Sequence, residues 1–237
     1  MFSGYLAAKQ NPSLCPLCLC GEKSVLDKAE KRMGKKRFIK EYLLPIVFAI
    51  LIALFIRTFV VQAFKIPSSS MEPTLQVGDY ILVTKFLYGV RIPYIGAKFF
   101  QFLKPKRGDV IVFIFPKDRS KDFIKRVIAT EGEKIEIIQD KIYINDQVIE
   151  DPWGHFGKSD WTKYLQAMER FGPVVVPKDS LLVLGDNRDN SQDSRFWGFV
   201  HVNAVKGKAL VIYFSWNSEA DGLFGKVRWV RLAKLIH

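Results

Sequence analysis

Ile66-Pro67-Ser68-Ser69-Ser70-Met71-Glu72-Pro73-Thr74-Leu75 follows directly on an apolar run and sets three serines between two prolines. A hydroxyl is a weak nucleophile at neutral pH, so a reactive serine needs a base within reach and a fixed position. Pro67 and Pro73 serve the second need, because each locks its own φ and drives the preceding residue towards extended backbone. Taken alone, the ten residues equally describe a Ser-Pro turn after a buried segment. In an extended segment successive side chains point to opposite faces. Ser68 and Ser70 then share one face, and Ser69 takes the other, away from any chemistry.

Two later stretches bear on that choice. Phe123-Ile124-Lys125-Arg126-Val127-Ile128 holds a lysine inside an apolar, β-branched run that reads as a buried strand. A lysine is ordinarily protonated near neutral pH, with a pKa of about 10.4, and is then useless as a base. Burial in a sheet interior disfavours the charged form and lowers that pKa towards neutrality. Arg126 alternates to the opposite face, where a surface role suits it. The third stretch, Gly185-Asp186-Asn187-Arg188-Asp189-Asn190-Ser191-Gln192-Asp193-Ser194-Arg195, follows the apolar Leu181–Leu184. Its bland reading is a turn rich in side-chain-to-backbone hydrogen bonds. A calcium loop fits it poorly, since the required Gly and distal Glu are missing. The three histidines, His155, His201 and His237, sit in no reactive-looking motif, which disfavours a Ser-His-Asp triad and favours a Ser-Lys dyad. A Ser-x-x-Lys scheme fails because Pro73 stands three residues after Ser70.

With these three stretches in order, residues 42–216 closely resemble the bacterial type I signal peptidases, membrane-bound serine proteases that remove signal peptides. The resemblance implies Ser70 as nucleophile and Lys125 as general base. It gives Ser191 the role of orienting the lysine amine, and Asp193 and Arg195 that of a supporting charge pair, with Asp186 and Arg188 as a second. It gives Ser68 an oxyanion-donor role beside the Ser70 N–H. It also implies a groove for small substrate side chains, lined by Phe64, Ile66, Phe123 and Ile124. The reaction needs no metal or cofactor. Two departures stand out: Ser69 replaces a usual glycine, and Ile128-Ala-Thr-Glu-Gly-Glu133 replaces a common Ile-Gly-x-Pro-Gly-Asp. Neither removes a reacting group.

The net charge of +12 is uneven: residues 1–41 carry nine Lys or Arg against four Asp or Glu. No helix-turn-helix, zinc-finger or RNA-binding pattern accompanies it, so nucleic acid is not the indicated partner. The basic block instead abuts Tyr42–Phe64, whose only charge is Arg57. A helix of that length reaches about 34 Å, enough for a bilayer core of about 30 Å. The long apolar region and the missing Ala-x-Ala site favour an uncleaved anchor over a removed signal peptide. Seven basic residues between Lys28 and Lys40 keep the N-terminus in the cytoplasm by the positive-inside rule and send the rest of the chain outside. Cys15, Cys18 and Cys20 are the only cysteines; with no nearby histidine as fourth ligand they read as a reduced tail rather than a zinc site, and no disulfide framework supports the outer domain.

Beyond residue 80 the text is mostly strands: Tyr80–Thr84, Asp109–Phe115, Phe123–Ile128, Lys134–Ile138, Lys141–Ile144, Val174–Val176, Leu181–Leu184 and Lys208–Trp216. Asn145-Asp146 marks a tight hairpin. The indicated fold is mainly β: a basic cytoplasmic tail (1–41), one transmembrane helix (42–64) and an extracytoplasmic catalytic domain (65–237) with an insertion at about 145–173. A short helix over Thr162–Arg170 is expected inside that insertion. The partners are signal-peptide-bearing preproteins and membrane lipid. Rival readings are a specialised relative maturing one pilus or conjugation substrate, and a membrane-tethered binding protein without catalysis.

Overall fold

The computed structural model describes residues 39–88, 90–91, 98–99, 103–156 and 170–237. The cysteine-bearing tail and the helix expected from residue 162 lie outside the described residues, except Arg170, which opens a strand. Contacts divide the chain into two units, residues 1–54 and 55–237.

The apolar run is helical from Ile39 to Val60. A central α-helix, α1 (Leu44–Phe55), lies between π-helical turns at Ile39–Leu43 and Ile56–Val60. None of the residues of α1 is buried. At 12 residues it spans about 18 Å, and no helix among the described residues is long and apolar enough to cross a membrane. Val61–Phe64, expected as the end of the anchor, belong instead to strand β1 (Val61–Lys65). An apolar run alone does not separate helix from strand; here Val61–Lys65 finds a partner in β2 (Asp79–Thr84), with Val61 opposite Thr84 and Lys65 opposite Tyr80.

The strands after residue 80 fall close to their expected places. β3 (Val90–Arg91) and β4 (Lys98–Phe99) form a two-stranded ribbon. β5 (Val110–Ile114), β6 (Asp122–Ala129) and β11 (Ser180–Leu184) are consecutive strands of an antiparallel sheet. The complete order is β1-β2-β13-β5-β6-β11-β12, where β12 is Val200–His201 and β13 is Val205–Ser215; β14 (Lys234–Leu235) adds to β13. A second sheet, β10-β7-β8-β9, is built from β7 (Lys134–Ile138), β8 (Lys141–Ile144), β9 (Gln147–Ile149) and β10 (Arg170–Val175). Asn145 and Asp146, with φ of 51° and 66°, join β8 to β9 with Ile144 opposite Gln147. Two left-handed central residues are the signature of a type I′ hairpin.

Two facts of this sheet position the site. First, β5 is covered on both faces. Val110 and Val112 pack with Ile66, Met71, Leu75 and Ile81, whereas Ile111 and Phe113 pack with Val127, Leu181 and Val183. This is why β5 reads as a continuous rather than alternating apolar run. Second, β11 ends at Leu184 opposite Arg126. Asp122 to Lys125 run on past it, paired with β5 (Lys125 opposite Ile111) but with no partner on the β11 side among the described residues. The Gly185–Arg195 stretch leaves the sheet at that point.

Candidate active site

The serine segment turns sharply after Ser68. Met71 and Leu75 are buried in the core below it, and Leu75 N donates to the Met71 carbonyl at 2.8 Å. Burying each of these side chains stabilises the turn by about 1.5–3 kcal/mol, so Ser70 sits on a buried foundation rather than on a free extended strand. Lys125 reaches the same place from β6. Its Nζ lies 2.5 Å from Ser70 Oγ, with the lysine 4% and the serine 8% exposed.

Burial disfavours the ammonium and holds the Lys125 pKa down at about 8; the nearby Asp193 and Asp186 carboxylates push it back up, and the Arg195 cation pushes it down. The desolvation cost outweighs the two attractive charges. Above pH 8 the neutral amine presents a lone pair to the serine hydroxyl, which can then donate to it. Ser68 Oγ lies 3.4 Å from Ser70 Oγ, so these two hydroxyls do share a face. A cavity of about 480 Å³ opens over the pair, walled by Pro67, Phe123, Ile124, Asn190 and Phe196 and including Ser68 and Ser191.

Not every expected side chain reaches this cavity. Phe123 and Ile124 line it; Phe64 and Ile66 pack in the core with Val83 and Ile212 instead. Ser191 lines the cavity, but its buried hydroxyl has no hydrogen-bond partner among the described residues, so the expected bond to the lysine amine is not formed. Asp193 and Arg195 form the anticipated pair through two bonds of 2.8 Å, and Asp193 also accepts from the Gly185 and Arg195 amides.

The pairing expected between Asp186 and Arg188 is absent. Asp186 accepts Arg126 Nε and Nη2 at 2.8 and 2.7 Å, with both side chains fully buried. Arg126 therefore has no surface role. It lies between β5 and β11 in a sheet covered on both faces, so alternation offers it no solvent side. Its guanidinium also donates to the Gly108 and His237 carbonyls and sits 4.7 Å over the Trp153 ring. Arg188 pairs with Asp151 at 2.5 Å and donates Nε to the Gly185 carbonyl. Sequence reading passed over Asp151 and Trp153 as part of an irregular insertion, and no local pattern marks either as a partner for a buried cation.

Ser69 is not on an idle face either: its hydroxyl accepts from Asn190 Nδ2 at 2.9 Å. Asn187 donates through Nδ2 to the Ser69 carbonyl and through its backbone N–H to the Ser70 carbonyl, both at 3.2 Å. The two loops meet closely enough to demand glycine at 185. A Cβ there would press into the Ser191 side chain and lie 2.5 Å from the Ser70 carbonyl oxygen.

A buried serine hydroxyl in contact with a desolvated lysine amine, beside a strand edge unpaired among the described residues, is an arrangement that can perform acyl transfer. The family model described as "Signal peptidase, peptidase S26" matches residues 39–216, which include the serine stretch, the lysine strand and the Gly185–Arg195 loop. The chain belongs to this family. Among curated relatives it is 32% identical to "Signal peptidase I" of Pseudomonas aeruginosa, over 78% of this chain and 76% of that protein. It is 35% identical to "Signal peptidase I" of Aquifex aeolicus, over 75% of this chain and 85% of that protein. For "Signal peptidase I" of Leptolyngbya laminosa the identity is 39%, covering 71% and 76%. Within this signal peptidase family the chain is a serine endopeptidase, and the Ser70–Lys125 contact supplies the pair of groups that such chemistry requires.

Proposed function

We propose that the chain removes signal peptides from exported preproteins with Ser70 as nucleophile and Lys125 as general base. The observation that carries this is the 2.5 Å contact between Ser70 Oγ and a buried lysine amine whose pKa is lowered to about 8. Neutral Lys125 takes the hydroxyl proton as Oγ attacks the scissile carbonyl. The resulting ammonium gives that proton to the leaving amine as the peptide bond breaks, leaving an acyl ester on Ser70. A water molecule, deprotonated by Lys125, attacks the ester; the signal peptide leaves as a carboxylate and Ser70 recovers its proton. Ser68 Oγ and the Ser70 N–H are the oxyanion donors, Asp193 and Arg195 brace the loop that carries Ser191, and Phe123 and Ile124 shape the groove. The edge of Asp122–Lys125, unpaired on the β11 side among the described residues, lines the same cavity as Pro67, Ser68 and Ser70, which suits an extended substrate added as a strand. The test is cleavage of a synthetic signal-peptide substrate by the purified protein. Ser70→Ala and Lys125→Arg should both be inactive, the latter because a guanidinium is not deprotonated near neutral pH. Substantial turnover by either would remove that residue from the mechanism.

The helical run from Tyr42 to Val60 is proposed as a membrane anchor, with residues 1–41 cytoplasmic and the domain from residue 65 extracytoplasmic. Its apolar side chains from Tyr42 to Ile56 are exposed, as with Phe48 and Leu44 at 64% and 60%, which is unfavourable in water and suited to lipid. The basic residues before it set the orientation. Protease added to spheroplasts should digest the domain and spare the tail; a protected domain would reverse the topology.

A further inference from the structure

We infer that Ser69 is a positioning residue for Ser70, latched to the Gly185–Arg195 loop by Asn190. The inference rests on the reading of Ser70 as nucleophile. Three hydrogen bonds from two asparagines converge on two consecutive residues. Asn190 Nδ2 donates to Ser69 Oγ at 2.9 Å. Asn187 Nδ2 donates to the Ser69 carbonyl, and the Asn187 backbone N–H to the Ser70 carbonyl, each at 3.2 Å.

Their effect follows from peptide planarity. The Ser69 carbonyl and the Ser70 N–H belong to one rigid plane and point in opposite directions, so a bond that fixes the carbonyl fixes the N–H. The Ser70 carbonyl belongs to the next plane. With both planes held, the Ser70 Cα–Cβ direction is set, and with it the line from Oγ to Lys125 Nζ. Glu72 N shares the Ser69 carbonyl at 3.0 Å from within the turn, and so ties the plane to the nucleophile's own loop as well. The bonds to the carbonyls are available to any residue at position 69. The bond to Oγ is not: it needs a side-chain acceptor, and the glycine usual at this position in the family would lack it. Ser69 thus adds a third attachment between the loop bearing the nucleophile and the loop bearing Ser191. The Ser69 side chain is not among those lining the cavity, whereas Ser68 and Ser70 are; it turns to the asparagine loop, whose Asn190 also walls that cavity.

The bond is between neutral groups at a partly exposed site, so its loss should cost roughly two- to tenfold in rate. The loss in a Ser69 variant should appear in kcat, because its hydroxyl orders reacting groups and lies outside the cavity lining. The experiment compares the full-length protein in detergent micelles with Ser69→Ala, Ser69→Thr, Asn190→Ala and the double variant Ser69→Ala/Asn190→Ala, on one signal-peptide substrate. Ser70→Ala is the control. The latch predicts a kcat about two- to tenfold lower in Ser69→Ala and in Asn190→Ala, with KM within about twofold of wild type in Ser69→Ala, whose side chain is off the cavity wall. Ser69→Thr, which keeps the hydroxyl, should recover the rate, and the double variant should be no slower than the slower single. Wild-type kcat in Ser69→Ala, or losses that multiply in the double variant, would overturn it. If Ser70→Ala itself turns over, the nucleophile assignment falls and takes the latch with it. An inactive Ser70→Ala beside an unimpaired Ser69→Ala defeats the latch alone.

Discussion

Replacing Lys125 by methionine should stabilise the protein at neutral pH and stop doing so at alkaline pH. The side chain is 4% exposed, and burial lowers its pKa from 10.5 to about 8. The folded state therefore binds this proton more weakly than the unfolded chain does. Below pH 8 both states carry the proton, and the folded state bears the full cost of a buried ammonium. Between pH 8 and 10.5 unfolding takes up a proton, so stability rises with pH through that window; above 10.5 the cost is gone. A gap of about 2.5 pK units corresponds to about 3 kcal/mol, of which about 2.5 kcal/mol is recovered between pH 7 and pH 10. The assay is denaturant unfolding of wild type and Lys125→Met in the same micelles at several pH values, followed by tryptophan fluorescence. Packing differences between lysine and methionine do not depend on pH, and every other titrating group is common to the two proteins. The difference in unfolding free energy should shift by about 2–3 kcal/mol in favour of wild type on going from pH 7 to pH 10. A difference that stays flat over that range would show that Lys125 titrates alike in folded and unfolded chains, and would remove the desolvation argument.

Two other substitutions probe the frame around the dyad. Arg126→Met leaves the Asp186 carboxylate fully buried without its cation, which should cost about 3–5 kcal/mol and appear as a lowered denaturation midpoint; a change within 0.5 kcal/mol, roughly the range of surface substitutions, would contradict the burial of that pair. Gly185→Ala puts a methyl group against the Ser70 carbonyl and the Ser191 side chain; kcat should fall by about 10² or more as the nucleophile is displaced, and a variant that folds with wild-type kcat would mean that the loops are not held in contact.

Much of the catalytic domain could be read from the chain because its strands are short β-branched runs ended by turn residues. Lys134–Ile138 and Lys141–Ile144 match their expected spans residue for residue, since the left-handed Asn145-Asp146 pair fixes the hairpin register locally. The Ser70–Lys125 contact was legible for a related reason: a lysine in an apolar run is conspicuous, and the serine it meets sits in a proline-bracketed segment. The contacts that brace the dyad were not legible. Arg126 takes its counter-charge from Asp186, 60 residues on, and Arg188 takes its own from Asp151; charge pairing across such separations leaves no periodicity. The alternation that puts Arg126 at the surface presumes a sheet with a wet face, and there is none around Arg126, which is fully buried. Val61–Phe64 were absorbed into the apolar helix because hydrophobicity alone does not reveal where a strand partner waits. Ser69 was set aside because its face was judged empty, and only the folded loops bring Asn190 to it.

The most direct test of the whole account is the pH dependence of single-turnover cleavage, measured with enzyme in excess over one signal-peptide substrate that does not itself titrate. A buried lysine serving as base for Ser70 predicts a rate that climbs tenfold per pH unit at low pH and levels off around a midpoint of about 8. A rate independent of pH across that midpoint, or one still climbing tenfold per unit towards the ordinary lysine value of 10.5, would contradict it.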